Sequence, residues 1–356
     1  HMLLPGAEYT GKLSIIDIGI PPYIVYSVDP RHQLLTSGWM RSQLISRDLQ
    51  THKGQTGHVL AAAGGTGKTP FCAWLTNVLR EVGRRPAILS RGYGRDDSTG
   101  VDDENELLGA LAPDVPVVVN PDRCEGARAA RSHLGADLVV LDDGFQHRRL
   151  ARDVDIVLVD ALRPFGGGYM LPRGLLREPA DGLRRADIIV LTRSDLVDVG
   201  EREDIEARLR EFAPNAPVAH AAHRATALQR LVPGGGREEA GLSELETGRW
   251  GAFCGIGNPD AFRLTLRRKG AELGLFRPFP DHYDYSADAM AETVNRAQDA
   301  GCDALVTTAK DAVKVSGLLQ TLPQMPMYVL EVEMEVTAGR EELRRVLPGD
   351  MHGDGE

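Results

Sequence analysis

A glycine-rich run that ends in lysine and threonine is the part of the sequence best suited to carry chemistry. It consists of Gly64, Gly65, Thr66, Gly67, Lys68 and Thr69. Glycines let the backbone wrap a phosphate, so that the N–H groups of the loop and of a following helix point at it. The lysine adds positive charge for the outer phosphates, and the threonine hydroxyl is a ligand for Mg²⁺. The run therefore predicts a P-loop, although the strict pattern has glycine where this chain has Ala62.

Two adjacent carboxylates supply the acid that a P-loop needs. Residues 138–141 are apolar, and Asp142 and Asp143 follow them directly. An acid at the end of a strand next to the P-loop holds Mg²⁺ or its water ligands. Adjacent carboxylates can also mark only the point at which a strand meets solvent. Beside a P-loop, we interpret them as the partners of Mg²⁺.

The elements that position these groups follow an α/β pattern from residue 57 onward. Near-continuous apolar runs predict parallel strands buried on both faces, at 58–63, 86–90, 115–120, 137–142, 155–160 and 187–192. Predicted helices lie at 69–82, 104–111, 122–134 and 201–212. A second region has predicted helices at 259–269 and 287–300, strands at 303–307 and 327–331, and a flexible loop at 233–236. The predicted fold class is α/β: a P-loop NTPase-like parallel sheet flanked by helices, with a second, smaller α/β domain.

Glycine and proline divide the chain into four predicted segments. Three glycines at 166–168 and a Pro/Arg-rich run as far as Pro179 interrupt the pattern. We predict an N-terminal segment at 1–56, a P-loop nucleotide-binding domain at 57–165, and a second α/β domain that closes the cleft at 166–335. A C-terminal helix and a frayed tail occupy 336–356.

The N-terminal segment contains a basic amphipathic stretch. Residues 31–53 carry four Lys/Arg and one acid among apolar side chains. Such a helix either lies at a membrane surface or packs on the domain with a solvated basic face. The apolar stretch at 15–28 is interrupted by Asp17 and by prolines at 21 and 22, so no membrane-spanning helix is predicted.

Composition excludes several classes of protein. The 356 residues include 41 Lys and Arg against 51 Asp and Glu, which gives a net charge of −10. This charge argues against a protein whose main role is to bind nucleic acid. Anionic ligands must therefore be held by local basic clusters. The four cysteines are far apart without a C-x-x-C pair, so neither a disulfide framework nor a zinc site is predicted, and the cytosol is the expected compartment.

An ordered set of motifs surrounds the P-loop. It comprises Ser-Arg-Gly-Tyr-Gly-Arg at 90–95, Asp-Asp-Gly-Phe-Gln-His-Arg-Arg-Leu at 142–150, Leu-Pro-Arg-Gly-Leu-Leu-Arg-Glu-Pro at 171–179, Gly-Ile-Gly-Asn-Pro at 255–259, Phe-Pro-Asp-His at 279–282 and Thr-Thr-Ala-Lys-Asp-Ala-Val at 307–313. From about residue 60 to 335 the chain resembles the tetraacyldisaccharide 4'-kinases, the lipid A 4'-kinases of Gram-negative bacteria.

The resemblance implies a reaction and a place. An ATP- and Mg²⁺-dependent kinase would transfer the γ-phosphate to the 4'-hydroxyl of a tetraacylated glucosamine disaccharide 1-phosphate. It would work as a peripheral protein at the cytoplasmic face of the inner membrane. The implied partners are the acylated disaccharide phosphate lipid and the membrane surface, with neither nucleic acid nor an obligate protein partner.

The resemblance also implies roles for residues. Lys68 and Thr69 would hold the β- and γ-phosphates and Mg²⁺. Asp142 and Asp143 would be further catalytic residues. Asp103 would be the general base, next to Glu104 as a contact to Mg²⁺. His282 would orient or tune Asp103 as a dyad across the cleft. Substrate contacts are expected from Arg91, Gln146, His147, Arg148 and Arg173. Guanidinium groups suit phosphates, so some of the arginines would hold ATP or the 1-phosphate of the substrate.

Plainer interpretations stay open for these residues. Asp103 lies in an acidic run that fits a solvated helix start, His282 alone fits a surface histidine, and the arginines fit solvated charges. The first 56 residues match the family poorly. Two other functions compete: a P-loop kinase of another sugar or small metabolite, and a regulatory P-loop NTPase.

Overall fold

The computed structural model describes residues 14–19, 67–90, 107–109, 111–142, 150–166, 168–170, 173, 176 and 178–347, with the backbone alone given for 14–19. The predicted strand at 58–63 and the basic stretch at 31–53 lie outside these residues. Within them, no helix is both long enough and apolar enough to cross a membrane.

One twelve-stranded sheet forms the centre of the described chain. The strands are β1 (Ser14–Gly19), β2 (Pro86–Ser90), β3 (Val117–Val119), β4 (Leu138–Asp142), β5 (Val154–Asp160), β6 (Ile188–Thr192), β7 (Val218–Val232), β8 (Gly236–Ala240), β9 (Arg249–Cys254), β10 (Glu272–Pro278), β11 (Ala304–Thr308) and β12 (Met327–Ala338). Their order is β10-β9-β11-β12-β7-β6-β5-β1-β4-β2-β3, and β8 pairs with β7. Pairing is parallel except where β7 meets β12 and β8.

Helices cover the sheet, and local sequence explains where they begin. They are α1 (Lys68–Glu81), α2 (Arg123–Leu134), α3 (Val199–Phe212), α4 (Pro259–Arg268), α5 (Ala287–Asp299), α6 (Ala309–Val315) and α7 (Arg340–Val346). Asp122, Asn258, Ser286 and Thr308 cap α2, α4, α5 and α6 by accepting from first-turn N–H groups, and Asp198 forms a capping box with Glu201 at α3. In the described part of the chain, 3₁₀ helices lie at Ala180–Arg185, Leu242–Glu246 and Ser316–Thr321.

The α/β fold class is confirmed, and most predicted elements are found within a few residues of their expected ends. The predicted helix at 104–111 is helical only at 107–109 and 111 within the described part. Within the predicted loop at 233–236, residues 233–235 form the turn of the β7–β8 hairpin, and Gly236 begins β8. Gly234 and Gly235 have φ of 96° and 86°, and the Gly235 N–H donates to the Val232 carbonyl at 3.3 Å. Glycine permits these angles, which such hairpin turns require.

The sheet continues past the predicted domain boundary. β5 pairs with β6 in parallel, from Ile156 beside Ile188 to Asp160 beside Thr192. The core is divided among side-chain clusters: Phe71, Leu75 and Leu79 of α1 pack with β2, β4 and β12, whereas Met290 and Val294 of α5 pack with β9 and β11. The division at residue 166 stays a prediction.

Candidate active site

The P-loop helix begins at a glycine that leaves its first turn open to an anion. Gly67 caps α1 in the left-handed conformation, with φ 92° and ψ 23°. A glycine has no side chain to accept hydrogen bonds from the first-turn N–H groups, and these groups together with the helix dipole favour a phosphate. Lys68 and Thr69 are the first two residues of the helix. The start of α1 therefore fits the phosphates of a nucleotide.

His223 of β7 packs directly against Gly67. A Cβ built on Gly67 would lie 2.5 Å from Cε1 and 2.6 Å from Nε2 of His223. Only glycine fits here, both for that contact and for its positive φ. The Nδ1 atom of His223 is inaccessible to solvent and has no hydrogen-bond partner among the described residues. Burial, aided by the positive charge of Arg193, holds the pKa of His223 well below 6.5, so the ring is neutral.

Asp142 lies beside the first turns of α1. It ends β4 and is 3% exposed, and the Cys72 thiol of α1 donates to its Oδ1 at 3.9 Å. The buried guanidinium of Arg123 donates to the Asp142 carbonyl at 3.1 Å and fixes the end of the strand. The carboxylate is therefore held near the helix that carries Thr69. This arrangement fits a group that holds Mg²⁺ or its water ligands.

A buried network joins the ends of β5 and β6 to the start of α4. Asp160 Oδ2 accepts from Arg193 Nη1 at 2.6 Å and from Asn258 Nδ2 at 2.7 Å. Arg193 is buried and adopts φ 55°, a left-handed conformation uncommon for a residue with a side chain. Asn258 also accepts from the Ala261 N–H and so caps α4. The network fixes Arg193 next to His223 and the P-loop.

A second polar group comes from the loop after β10 and from α6. Lys310 Nζ donates to Asp281 Oδ1 at 3.0 Å and lies 3.3 Å from Nε2 of His282. His282 has φ 59°, and such strain in a residue other than glycine is typical of functional sites. The Asp-His motif and the lysine of the Thr-Thr-Ala-Lys-Asp motif are therefore neighbours in space.

Asp311 is a buried carboxylate that holds this group in place through hydrogen bonds. It is 1% exposed and accepts from the Gly255 N–H at 3.0 Å, the Tyr285 hydroxyl at 2.9 Å and the Thr308 hydroxyl at 2.6 Å. Burial raises the pKa of Asp311, although these three donors oppose the shift. Burial and the Asp311 carboxylate also raise the pKa of Tyr285. Asp311 therefore ties the starts of α6 and of the Gly-Ile-Gly-Asn-Pro loop together.

One cavity of about 170 Å³ joins these parts. Its polar lining includes Lys68, Thr69, Arg193, Asp281 and Lys310. Apolar side chains form much of the remaining wall, among them Leu107, Leu111, Ile256, Phe262, Leu330 and Val332. A pocket with an apolar wall and a few convergent charges suits a nucleotide, whose base is apolar on its faces and whose phosphates are anionic. Within the described residues no cluster of three His, Cys, Asp or Glu forms a metal site.

The predicted site residues divide into three groups. Gly67, Lys68, Thr69, Asp142 and His282 lie in the regions just described. Arg173 is exposed, its guanidinium stacks 3.8 Å above the Tyr169 ring, and it does not line the cavity. Outside the described residues are Gly64, Gly65, Thr66, Arg91, Asp103, Glu104, Asp143, Gln146, His147 and Arg148.

Sequence reasoning missed His223, the Asp160–Arg193–Asn258 network and Lys310. Lys310 and Asn258 lie inside motifs that the sequence analysis singled out, so a search within those motifs for groups able to bind phosphate would have found them. His223 carries no such signal, since it is one polar residue in a strand of mixed character.

His223 makes stability depend on pH. The unfolded chain takes up a proton below about pH 6.5, whereas the folded protein resists it, so stability falls as the pH drops through this range. We expect the free energy of unfolding of His223→Gln to fall less than that of the wild type between pH 7.5 and 5.5. Below the histidine pKa of the unfolded chain, the difference grows by up to about 1.4 kcal/mol per pH unit. Urea unfolding at the two pH values measures this. Equal losses in both proteins would show that His223 is not buried in its neutral form.

Comparisons with known proteins show which family this chain resembles. The family model described as tetraacyldisaccharide-1-P 4'-kinase (LpxK) matches residues 61–350. A tetraacyldisaccharide 4'-kinase of Anaeromyxobacter dehalogenans strain 2CP-C is 40% identical over 301 residues, which cover 80% of this chain and 79% of that protein. The enzyme of the same name from Syntrophus aciditrophicus is 39% identical over 296 residues, covering 77% and 78%.

A solved structure is also similar. The crystal structure of the "apo" form of LpxK from Aquifex aeolicus in complex with ATP has a TM-score of 0.59 and 26% identity, and the match covers 94% of this chain and 88% of that one. The P-loop helix, the nearby carboxylate and the matched motifs fit a kinase that uses ATP with Mg²⁺ to phosphorylate a hydroxyl of a lipid A precursor. The chain belongs to the tetraacyldisaccharide-1-P 4'-kinase family.

Proposed function

We propose that this chain phosphorylates the 4'-hydroxyl of a tetraacylated glucosamine disaccharide 1-phosphate at the cytoplasmic face of the bacterial inner membrane. The observation that carries the proposal is the cavity that joins Lys68 and Thr69 of the P-loop helix to Asp281 and Lys310 among the described residues. A phosphate donor and a hydroxyl acceptor must meet in one place. Positioning and charge neutralisation are most of what phosphoryl transfer requires of a protein.

The residues on the P-loop side hold the donor. The first-turn N–H groups of α1 bind the β-phosphate, and Lys68 neutralises charge on the β- and γ-phosphates. Thr69 and Asp142 hold Mg²⁺, with Asp143 and Glu104 as further oxygen donors. Bound Mg²⁺ stabilises the negative charge that develops on the phosphate oxygens. The apolar wall of the cavity accommodates the base.

The residues on the other side prepare the acceptor. Asp103 accepts the proton of the 4'-hydroxyl as the oxygen attacks phosphorus, so it must reach that hydroxyl within hydrogen-bond distance. His282 orients the Asp103 carboxylate. Arg91, Gln146, His147, Arg148 and Arg173 contact the disaccharide and its 1-phosphate. The exposed position of Arg173 suits a group on a large lipid acceptor outside the nucleotide cavity.

The lipid acceptor and the membrane location can be tested together. We expect the protein to co-sediment with anionic phospholipid vesicles that contain the tetraacyldisaccharide 1-phosphate and to phosphorylate it there. The deacylated disaccharide 1-phosphate in solution, as the matched acceptor, should react with a kcat/KM lower by at least about 10-fold, because it lacks the acyl chains that hold it at the lipid surface. Equal kcat/KM for both acceptors, with the protein left in the supernatant, would favour a soluble sugar kinase.

A further inference from the structure

Lys310 lies between the two members of the Asp-His motif. Its Nζ is 3.0 Å from Asp281 Oδ1 and 3.3 Å from His282 Nε2, whereas Nε2 itself is 3.9 Å from Asp281 Oδ1. The last distance is too long for a hydrogen bond. The Asp281 and Lys310 side chains are 5% and 14% exposed, and that of His282 is 44% exposed. The ammonium therefore occupies the place where a histidine N–H and a carboxylate would otherwise meet.

The chemistry of the two groups decides where the ring proton is. A lysine ammonium has three N–H donors and no acceptor, so Nε2 must accept in this contact. A neutral imidazole that accepts at Nε2 carries its proton on Nδ1. We propose that Lys310 is a positioning residue of the transfer reaction, which donates to Nε2 of His282 and so holds the ring as the neutral Nδ1–H tautomer.

The surroundings fix both partners. Lys310 lies in the first turn of α6, whose start is held by the buried Asp311. The His282 N–H lies 3.1 Å from Asp281 Oδ1 and 3.3 Å from the Gly255 carbonyl. Lys314 Nζ donates to the His282 carbonyl at 3.4 Å. Among the described residues, the charged groups that contact His282 include Asp281 from its own loop and Lys310 and Lys314 from α6.

The tautomer decides which ring nitrogen can donate to the general base; this step rests on the proposed function. With Nε2 engaged by Lys310, the only N–H of the ring is at Nδ1, and that N–H can donate to the Asp103 carboxylate. His282 then orients the base while Asp103 takes the proton of the hydroxyl. Among the described residues, Asp281 Oδ1 lies 3.9 Å from Nε2. Without Lys310 this carboxylate would accept from a protonated Nε2, and Nδ1 would then be unable to donate.

Nitrogen-15 NMR of histidine side chains tests the proposal on the full chain without substrate. At about pH 8, where an ordinary histidine is neutral, the two ring nitrogens give distinct shifts, and His282→Gln identifies the signals among the ten histidines. We expect His282 of the wild type to be protonated at Nδ1. Lys310→Met should move the proton to Nε2, whereas Lys314→Met, the matched lysine of the same helix, should leave it at Nδ1.

Kinetics give a second readout. Lys310→Met should lower kcat by about 10- to 100-fold at saturating ATP, and Lys310→Arg, which keeps a charged donor, should restore part of the rate. A wild-type His282 protonated at Nε2, or the same tautomer and kcat in Lys310→Met, would overturn the proposal. If the tautomers are as expected but the wild type phosphorylates no lipid, the proposed function fails while the role of Lys310 in fixing the ring stands.

Discussion

Lys68→Ala is expected to abolish phosphate transfer while the protein stays folded. The lysine is at the first position of α1, next to the glycine cap and at the wall of the cavity. Its positive charge is needed most when negative charge spreads over the phosphate oxygens in the transition state. We therefore expect kcat/KM to fall by about 10³-fold or more. The hydrophobic face of α1, carried by Phe71, Leu75 and Leu79, is untouched, so stability should change little.

The control for this prediction is Lys269→Ala. Lys269 follows α4 and does not line the cavity, so its loss removes the same charge without affecting the site. Initial rates of labelled phosphate transfer, together with circular dichroism and thermal unfolding, separate loss of function from loss of fold. Undiminished turnover in Lys68→Ala would refute the assignment of this loop to phosphate binding.

Asp103→Ala and His282→Ala are expected to lower kcat far more than they weaken ATP binding. A general base contributes about 10²- to 10⁴-fold, and it acts in the transition state rather than in the ground state. Loss of Asp103 should therefore cost rate at saturating ATP and acceptor, and loss of His282 should cost rate because the carboxylate is no longer oriented. The strained φ of His282 and its contact with Lys310 show that its position is imposed by the fold.

The two substitutions should also be non-additive. If the pair acts as one unit, Asp103→Ala with His282→Ala should be about as slow as the slower single variant. Steady-state rates over a range of ATP and acceptor concentrations give kcat and both KM values for each protein. Variants that raise only KM, with kcat unchanged, would show that these residues bind substrate and do not form a base dyad.

The sequence predicts those parts of the fold whose signal is local. β2, β4, β5 and β6 are buried along their whole length, so each is a largely apolar run with recognisable ends. β7 was missed because it pairs with β6, β8 and β12 along different stretches and alternates between buried and exposed positions with histidine and arginine among them. β10 was missed for a related reason, since most of its residues are only partly buried.

The same distinction applies to the site. The P-loop is contiguous in the chain, so its residue types and spacing predict its chemistry directly. Asp142 was predicted because it ends an apolar run. The packing of His223 on Gly67 and the contact of Lys310 with His282 join separate elements, and only the pairing of β7 with β12 and the placement of α6 beside the loop after β10 bring those residues together.

The most direct test of the central claim follows the fate of the terminal phosphate. Full-length protein is mixed with Mg²⁺ and ATP labelled at the γ-position, or at the α-position as control, and with tetraacyldisaccharide 1-phosphate in detergent micelles. We predict that label from the γ-position enters the lipid as a 4'-phosphate and that label from the α-position does not. Release of γ-label only as inorganic phosphate, with the lipid unlabelled, would contradict the assignment of this chain as a lipid kinase.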